Sequence, residues 1–249
     1  MFGSRVPKTG KQHQLEIHLP ETRWIRLHGI RPPFGFTISL LQFARWGGMT
    51  KEWMLMLLKI TTVGEAVLRQ QARPLTVAEI RSAEIQQLIQ HMRETMHDAP
   101  GVGLAAPQVG FPLQLALIED KQEYFAGLTA EQIAERERQP VPFHVIINPV
   151  MQPQSAADVE FFEGCLSVPG FTAIVPRSRQ VRVECLDETG APRVVEASGW
   201  YARILQHEID HLHGTLYLDR MQSRTFCSIE NHARLWKNKT AAELKAGLG

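Results

Sequence analysis

From Leu57 onward the apolar positions follow two rhythms, and each predicts an element. Between Leu75 and Asp98, Ile80, Ile85, Leu88, Ile89, Met92 and Met96 recur mostly at three- and four-residue steps with Arg, Gln and Glu between them. That period places one stripe of an amphipathic helix against a core. Asp98-Ala-Pro-Gly ends it. Upstream, Leu57-Lys-Ile-Thr-Thr-Val reads as extended chain with a turn at Gly64. Leu113–Glu119 and Phe143–Asn148 are short β-type runs, separated by a charged stretch, Asp120–Arg138, that reads as a helical insertion. Val181–Leu186 alternates apolar and polar, and Asp187-Glu-Thr-Gly190 turns it into Val194-Val195, the pattern of a hairpin. A second helix is predicted from Trp200 to Leu212, where Trp200, Ile204, Leu205, Ile209 and Leu212 suit burial and Gly214 closes the element. Leu216, Tyr217 and Leu218 read as a further strand, followed by a polar helical tail from about Arg224.

Together these elements predict an α+β fold, a single domain of antiparallel strands around a central helix that carries an HExxH motif. The first 48 residues lack either rhythm and hold seven Lys or Arg against two acids. Residues 1–48 are therefore expected to form a poorly packed N-terminal extension, and 49–249 the folded domain. Targeting, a tether to the ribosome, or translation ahead of a start at Met49 would each explain such an extension.

Composition narrows the field of partners. With 249 residues, 44% of them hydrophobic and 21% charged, the chain can build an ordinary globular core. A formal charge of +1 supplies no global field for a nucleic-acid backbone or an anionic membrane, so neither is expected to bind. Three cysteines, Cys165, Cys185 and Cys227, are too few and odd in number to staple a secreted scaffold, which favours a reducing compartment. Apolar runs such as Met54–Ile60 are interrupted by Lys59 and fall short of the roughly 20 residues of a membrane span.

The chemistry concentrates on His207-Glu208-Ile209-Asp210-His211. Two imidazoles four positions apart lie about 40° apart around a helix axis, one turn above the other, so both can reach one metal ion. Glu208, offset by one residue, can reach water at such an ion without joining its ligands. An open catalytic site wants a third protein ligand. The other eight histidines are scattered, and Cys185 and Cys227 read as small hydrophobes. Cys165 differs, because Gly164 beside it allows close backbone approach.

Three separated blocks carry a further signal: Gly101-Val-Gly-Leu-Ala-Ala-Pro-Gln-Val-Gly110, Glu163-Gly-Cys-Leu-Ser167 and Gln206-His-Glu-Ile-Asp-His-Leu212. Through them the chain resembles the peptide deformylases, from about Leu57 to Asp219. The resemblance implies hydrolytic removal of the formyl group from the N-terminal formylmethionine of nascent peptides, releasing formate. It also implies one divalent metal ion held by Cys165, His207 and His211, with water in the fourth position. Sulfur and two nitrogens suit Zn2+ on coordination grounds, whereas the resemblance implies Fe2+ as the native ion, with Zn2+, Ni2+ or Co2+ able to replace it. Glu208 would serve as base and then acid, and the Gln108 amide with the Leu166 backbone N–H would form an oxyanion hole.

For the substrate, Gly101 and Gly103 would let an extended peptide lie against the main chain. Arg203, Ile204 and Trp200, four, three and seven positions before His207, would line the methionine pocket with Val102 opposite. Arg203 departs from the apolar residue typical of many bacterial members and is expected at the pocket rim, stem packed and head solvated. A bacterial cytoplasm is the first expectation for its location, a mitochondrion or plastid the second. Two rivals stand beside this reading: a zinc peptidase drawing its third ligand from Glu230 or His232, and a binding module on the same fold.

Overall fold

The computed structural model describes residues 56–157 and 159–237, together with 239, 243, 246 and 247. The expected boundary near residue 48 lies outside the described residues. From residue 56 the chain packs helices against two antiparallel sheets.

The first amphipathic stretch is split. Thr76 and Glu79 form a reciprocal capping box that starts α1 (Val77–Ile80). Ser82 then accepts from the Ile85 N–H and starts α2 (Ala83–Asp98). Two sets of caps inside one hydrophobic period produce two helices where periodicity alone predicts one. On α2, Leu88, Ile89, Met92, Thr95 and Met96 are buried.

Five strands form the larger sheet in the order β1 (Gly103–Ala105), β2 (Leu115–Asp120), β3 (Val141–Pro153), β6 (Gln180–Leu186) and β7 (Pro192–Ser198). Leu115 and Leu117 point into the cluster that buries α2, while Ala116 and Ile118 point into the opposite one, with Leu205, Ile209 and Leu212 of α4 (Gly199–Leu212). The sheet is covered on both faces, which is why β2 reads as a continuous apolar run. Each fully buried Leu or Ile contributes about 1.5–3 kcal/mol, so the α4 face anchors the helix firmly. Between β2 and β3 the charged stretch forms a 3-10 turn (Gln122–Phe125) and α3 (Ala130–Glu135), the expected helical insertion. Arg138 clamps its two ends by donating to both oxygens of Asp120 at 2.7 Å.

The smaller sheet has the order β4 (Val159–Cys165), β5 (Val168–Arg177) and β8 (Cys227–Ser228). Leu216–Leu218 is not a strand. A 3-10 turn (Tyr217–Asp219) replaces it, because Asp219 accepts from the Leu216 N–H at 2.7 Å and closes the backbone on itself. Among the described residues after Arg224, β8 precedes a short α5 (Ile229–Asn231) and a π-helical turn (His232–Trp236). Among the described residues no helix is long and apolar enough to cross a membrane.

Candidate active site

Helix α4 meets both sheets at one point. Its buried apolar face fixes His207 and His211 one turn apart, and β4 ends at Cys165 beside them. The ligand atoms of Cys165, His207 and His211 all lie within 4.8 Å of one another, with Cys165 Sγ 3.3 Å from His211 Nε2. A tetrahedral ion with ordinary sulfur and nitrogen bond lengths holds its donors about 3.4–3.6 Å apart, so the trio needs little adjustment.

Electrostatics favour the same reading. Burial alone would lower the His207 pKa, but hydrogen bonds to Cys165 and Glu163 outweigh it and raise it well above the ordinary value. His207 Nδ1 donates to Glu163 Oε2 at 2.9 Å, which turns Nε2 toward the cysteine and the second histidine. Burial, then the neighbouring His207 and Arg177, drives His211 well below its usual range and keeps it neutral, the form that ligates.

Glu208 is 4% exposed, and its Oε2 has no hydrogen-bond partner among the described residues. Burial pushes its carboxyl up to about 7. An orphaned buried oxygen beside two imidazoles and a thiol is costly unless the site receives polar occupants. Gly103 presses against this carboxylate: a Cβ there would stand 2.3 Å from Glu208 Oε1. The bare backbone at Gly103 thus makes room for Glu208. At Gly101 a Cβ would meet Leu166 Cδ1 at 3.1 Å.

Gln108 is buried with its amide fixed. Oε1 accepts from the Ala105 N–H at 2.9 Å, so Nε2 turns toward Cys165 Sγ at 3.5 Å and Ser167 Oγ at 3.3 Å. Leu166 follows the cysteine directly and packs with the α2 cluster. Val102, Ile204 and Trp200 share the apolar cluster on the α4 face, and Trp200 also meets Phe161 edge-on at 6.3 Å. A cavity of about 550 Å³ is lined by His144, Arg193 and Tyr201 and includes none of Cys165, His207, Glu208 and His211.

Arg203 corrects the sequence reading. It is 3% exposed, not solvated at a rim. Nη1 donates to Glu163 Oε1 at 2.7 Å and to the Val175 carbonyl at 2.8 Å, and Nη2 donates to the Val159 carbonyl at 2.6 Å. Sequence reasoning also leaves Glu163 without a task. It lies two residues before Cys165 on the same strand, and a carboxylate so close to a candidate ligand is the signal that could find it. Arg177 forks onto it, Nε to Oε1 and Nη2 to Oε2, both at 2.9 Å. Arg177 Nη1 reaches on to Asp210 Oδ2, where Arg220 also pairs. His232 stacks edge-on against Phe162 at 4.3 Å, and Glu230 is exposed, so neither stands in the ligand trio.

Comparison with known proteins agrees with this geometry. The chain matches the family described as Polypeptide deformylase over residues 57–226. It is 46% identical over 172 residues to the chloroplastic peptide deformylase 1A of Solanum lycopersicum, covering 69% of this chain and 62% of that one. It is 45% identical over 192 residues to peptide deformylase 1 of Streptomyces coelicolor, covering 77% and 86% respectively. The chain thus spans less than two thirds of the tomato relative and 64% of the Arabidopsis thaliana one. A crystal structure of a class I type b peptide deformylase from Acinetobacter baumannii, with Met-Ala-Ser bound, superposes with a TM-score of 0.60 at 31% identity. That match covers 68% of this chain and all of the other.

Proposed function

The chain belongs to the polypeptide deformylase family, and we propose that it removes the formyl group from N-terminal formylmethionine of nascent peptides, releasing formate and a free amine. The observation that carries this is the convergence of Cys165, His207 and His211 beside buried Glu208 and the fixed Gln108 amide.

The family is metal-dependent. The present residues fit a divalent ion by donor chemistry and by the orphaned Glu208 oxygen beside them. Such an ion supplies Lewis acidity, acidifying water and polarising a carbonyl. Fe2+ is proposed as native, with Zn2+, Ni2+ or Co2+ compatible with the same ligands.

The protein's own groups do the rest. Glu208 takes a proton from the attacking water, and its raised pKa lets it hold that proton near neutrality. As oxygen adds to the formyl carbon, negative charge grows on the former carbonyl oxygen. Gln108 Nε2 and the Leu166 N–H donate to it, each worth roughly 3–4 kcal/mol. Glu208 then returns the proton to the departing nitrogen as the carbon–nitrogen bond breaks, so no covalent enzyme intermediate is required. Val102, Trp200, Arg203 and Ile204 are assigned to the methionine side, with Arg203 acting from beneath the wall and not at its rim. Gly101 and the adjoining strand edge are assigned to the peptide backbone. Nascent peptides are the proposed partners, in a bacterial cytoplasm or an organelle. Any ribosomal contact through residues 1–48 lies outside the described residues.

The test is anaerobic purification followed by formate release from formyl-Met-Ala-Ser, with acetyl-Met-Ala-Ser and unmodified Met-Ala-Ser in parallel. Formate from the first substrate alone supports the assignment. Cleavage of internal peptide bonds, or no formate at full metal content, overturns it.

A further inference from the structure

We propose that Arg203 is a positioning residue for the metal centre, setting through Glu163 the charge that His207 experiences. This rests on the metal-centre reading above and goes beyond it. Glu163 accepts four N–H donors: Arg177 Nε and Arg203 Nη1 on Oε1, Arg177 Nη2 and His207 Nδ1 on Oε2. The Arg177 fork alone fixes the carboxylate in place and in plane. Arg203 is therefore redundant for geometry, and what it adds is charge.

The balance of the buried groups gives that charge its sign. Glu163, Asp210, Arg177 and Arg203 are all buried, two carboxylates against two guanidiniums. Arg220, which completes Asp210, keeps its side chain 49% exposed and is screened by solvent. Taking the charge from Arg203 leaves the buried group one negative charge in excess, on the carboxylate bonded to His207. A carboxylate accepting from a ligand imidazole raises its basicity and strengthens its hold on a cation. Arg203 draws on Oε1 and moderates that hold. Its position fits the task, because it lies one helical turn before His207 on α4 and spans to β4 and β5 through the Val159 and Val175 carbonyls. A cation buried at this depth is expensive to keep for packing alone when an apolar side chain would fill the space.

The experiment measures cobalt(II) dissociation constants by chelator competition on the full chain, for wild type, Arg203→Met and Arg203→Lys, with the visible spectrum recorded for each. Arg203→Met is expected to bind cobalt at least about tenfold more tightly, with sulfur-to-cobalt absorption retained, and Arg203→Lys to stay within about threefold of wild type because it keeps the charge. If Arg203→Met does not fold, Arg203→Gln, which can still donate to the Val175 carbonyl, takes its place with the same expectation. A neutral variant that binds cobalt no more tightly than wild type overturns the proposal, and so does equal tightening in Arg203→Lys. Wild type lacking any sulfur-to-cobalt band would overturn the metal-centre reading itself, a result separate from either of those.

Discussion

Gly103→Ala is the sharpest single perturbation the site offers, because the added methyl has one place to go and Glu208 fills it. The new Cβ would stand 2.3 Å from Glu208 Oε1, 2.6 Å from its Cδ and 2.7 Å from its Cγ. Ordinary contact requires roughly 3.4 Å, so carboxylate and strand must part by about 1 Å. Neither partner yields easily. Glu208 is buried on a helix pinned by Leu205, Ile209 and Leu212, while β1 is held to β2 by Gly103–Ile118, Leu104–Leu117 and Ala105–Ala116 pairing. A shift of β1 would also move the Ala105 N–H that orients Gln108. A misplacement of about 1 Å at a proton-transferring group lowers kcat/KM by roughly 100-fold, or about 2.7 kcal/mol of transition-state stabilisation. Overpacking adds a stability loss of about 1–3 kcal/mol. The measurement is steady-state formate release from formyl-Met-Ala-Ser, normalised to metal content, with a thermal melt of the same preparation. Cys165, His207 and His211 do not meet the new methyl in the first rank, so metal content should hold. Turnover within about threefold of wild type would show that Glu208 does not need its observed position, contradicting the proton-carrying role proposed for it.

Three other changes probe the remaining groups. Glu163→Gln leaves Arg177 and Arg203 facing a neutral acceptor, so calorimetry should show a loss of about 3–5 kcal/mol and chelator titration a metal affinity weakened by about 10–100-fold; an unchanged melt would refute the ion cluster. Gln108→Ala should lower kcat by about 100- to 1,000-fold while elemental analysis finds the same metal, and a change confined to KM would deny it a place at the developing oxyanion. In metal-free protein, the Glu208 carboxyl at about 7 lies above its ordinary value of 4.5. Its protonated form is the one the fold favours. That contribution is fully present below about 4.5 and is lost as pH rises through about 7, to a limit of about 3 kcal/mol. Glu208→Gln, fixed in the neutral state, should therefore melt well above wild type at pH 8 and close to it at pH 4; equal melts at pH 8 would refute the desolvation of this carboxyl.

What the sequence discloses follows from which interactions are local. Helix α4 is legible because its apolar stripe and its two histidines obey one period, and the β6–β7 hairpin because alternation and turn residues agree. The smaller sheet is not, since Glu163 and Arg177 occupy its buried face where alternation expects hydrocarbon. The gap between α1 and α2 is set by caps that periodicity does not weigh. Leu216–Leu218 turns instead of extending because Asp219 captures a backbone amide. His207, His211 and Glu208 emerge from motif spacing, Cys165 and Gln108 from the family resemblance, and the structure brings Cys165, His207, His211 and Gln108 together. Arg203 is misjudged because helical geometry sees neighbours one turn away, whereas its partners, Glu163, Val175 and Val159, come from 28 to 44 residues off in the chain. At Gly103 the sequence does not disclose the tight fit against Glu208, because that group lies on a distant helix.

X-ray absorption at the metal edge of the anaerobically purified protein tests the centre most directly. The account predicts one sulfur at about 2.3 Å with two nitrogens nearer 2.0–2.1 Å, and loss of the sulfur shell in Cys165→Ser. A shell of oxygen and nitrogen alone in the wild-type protein would contradict it.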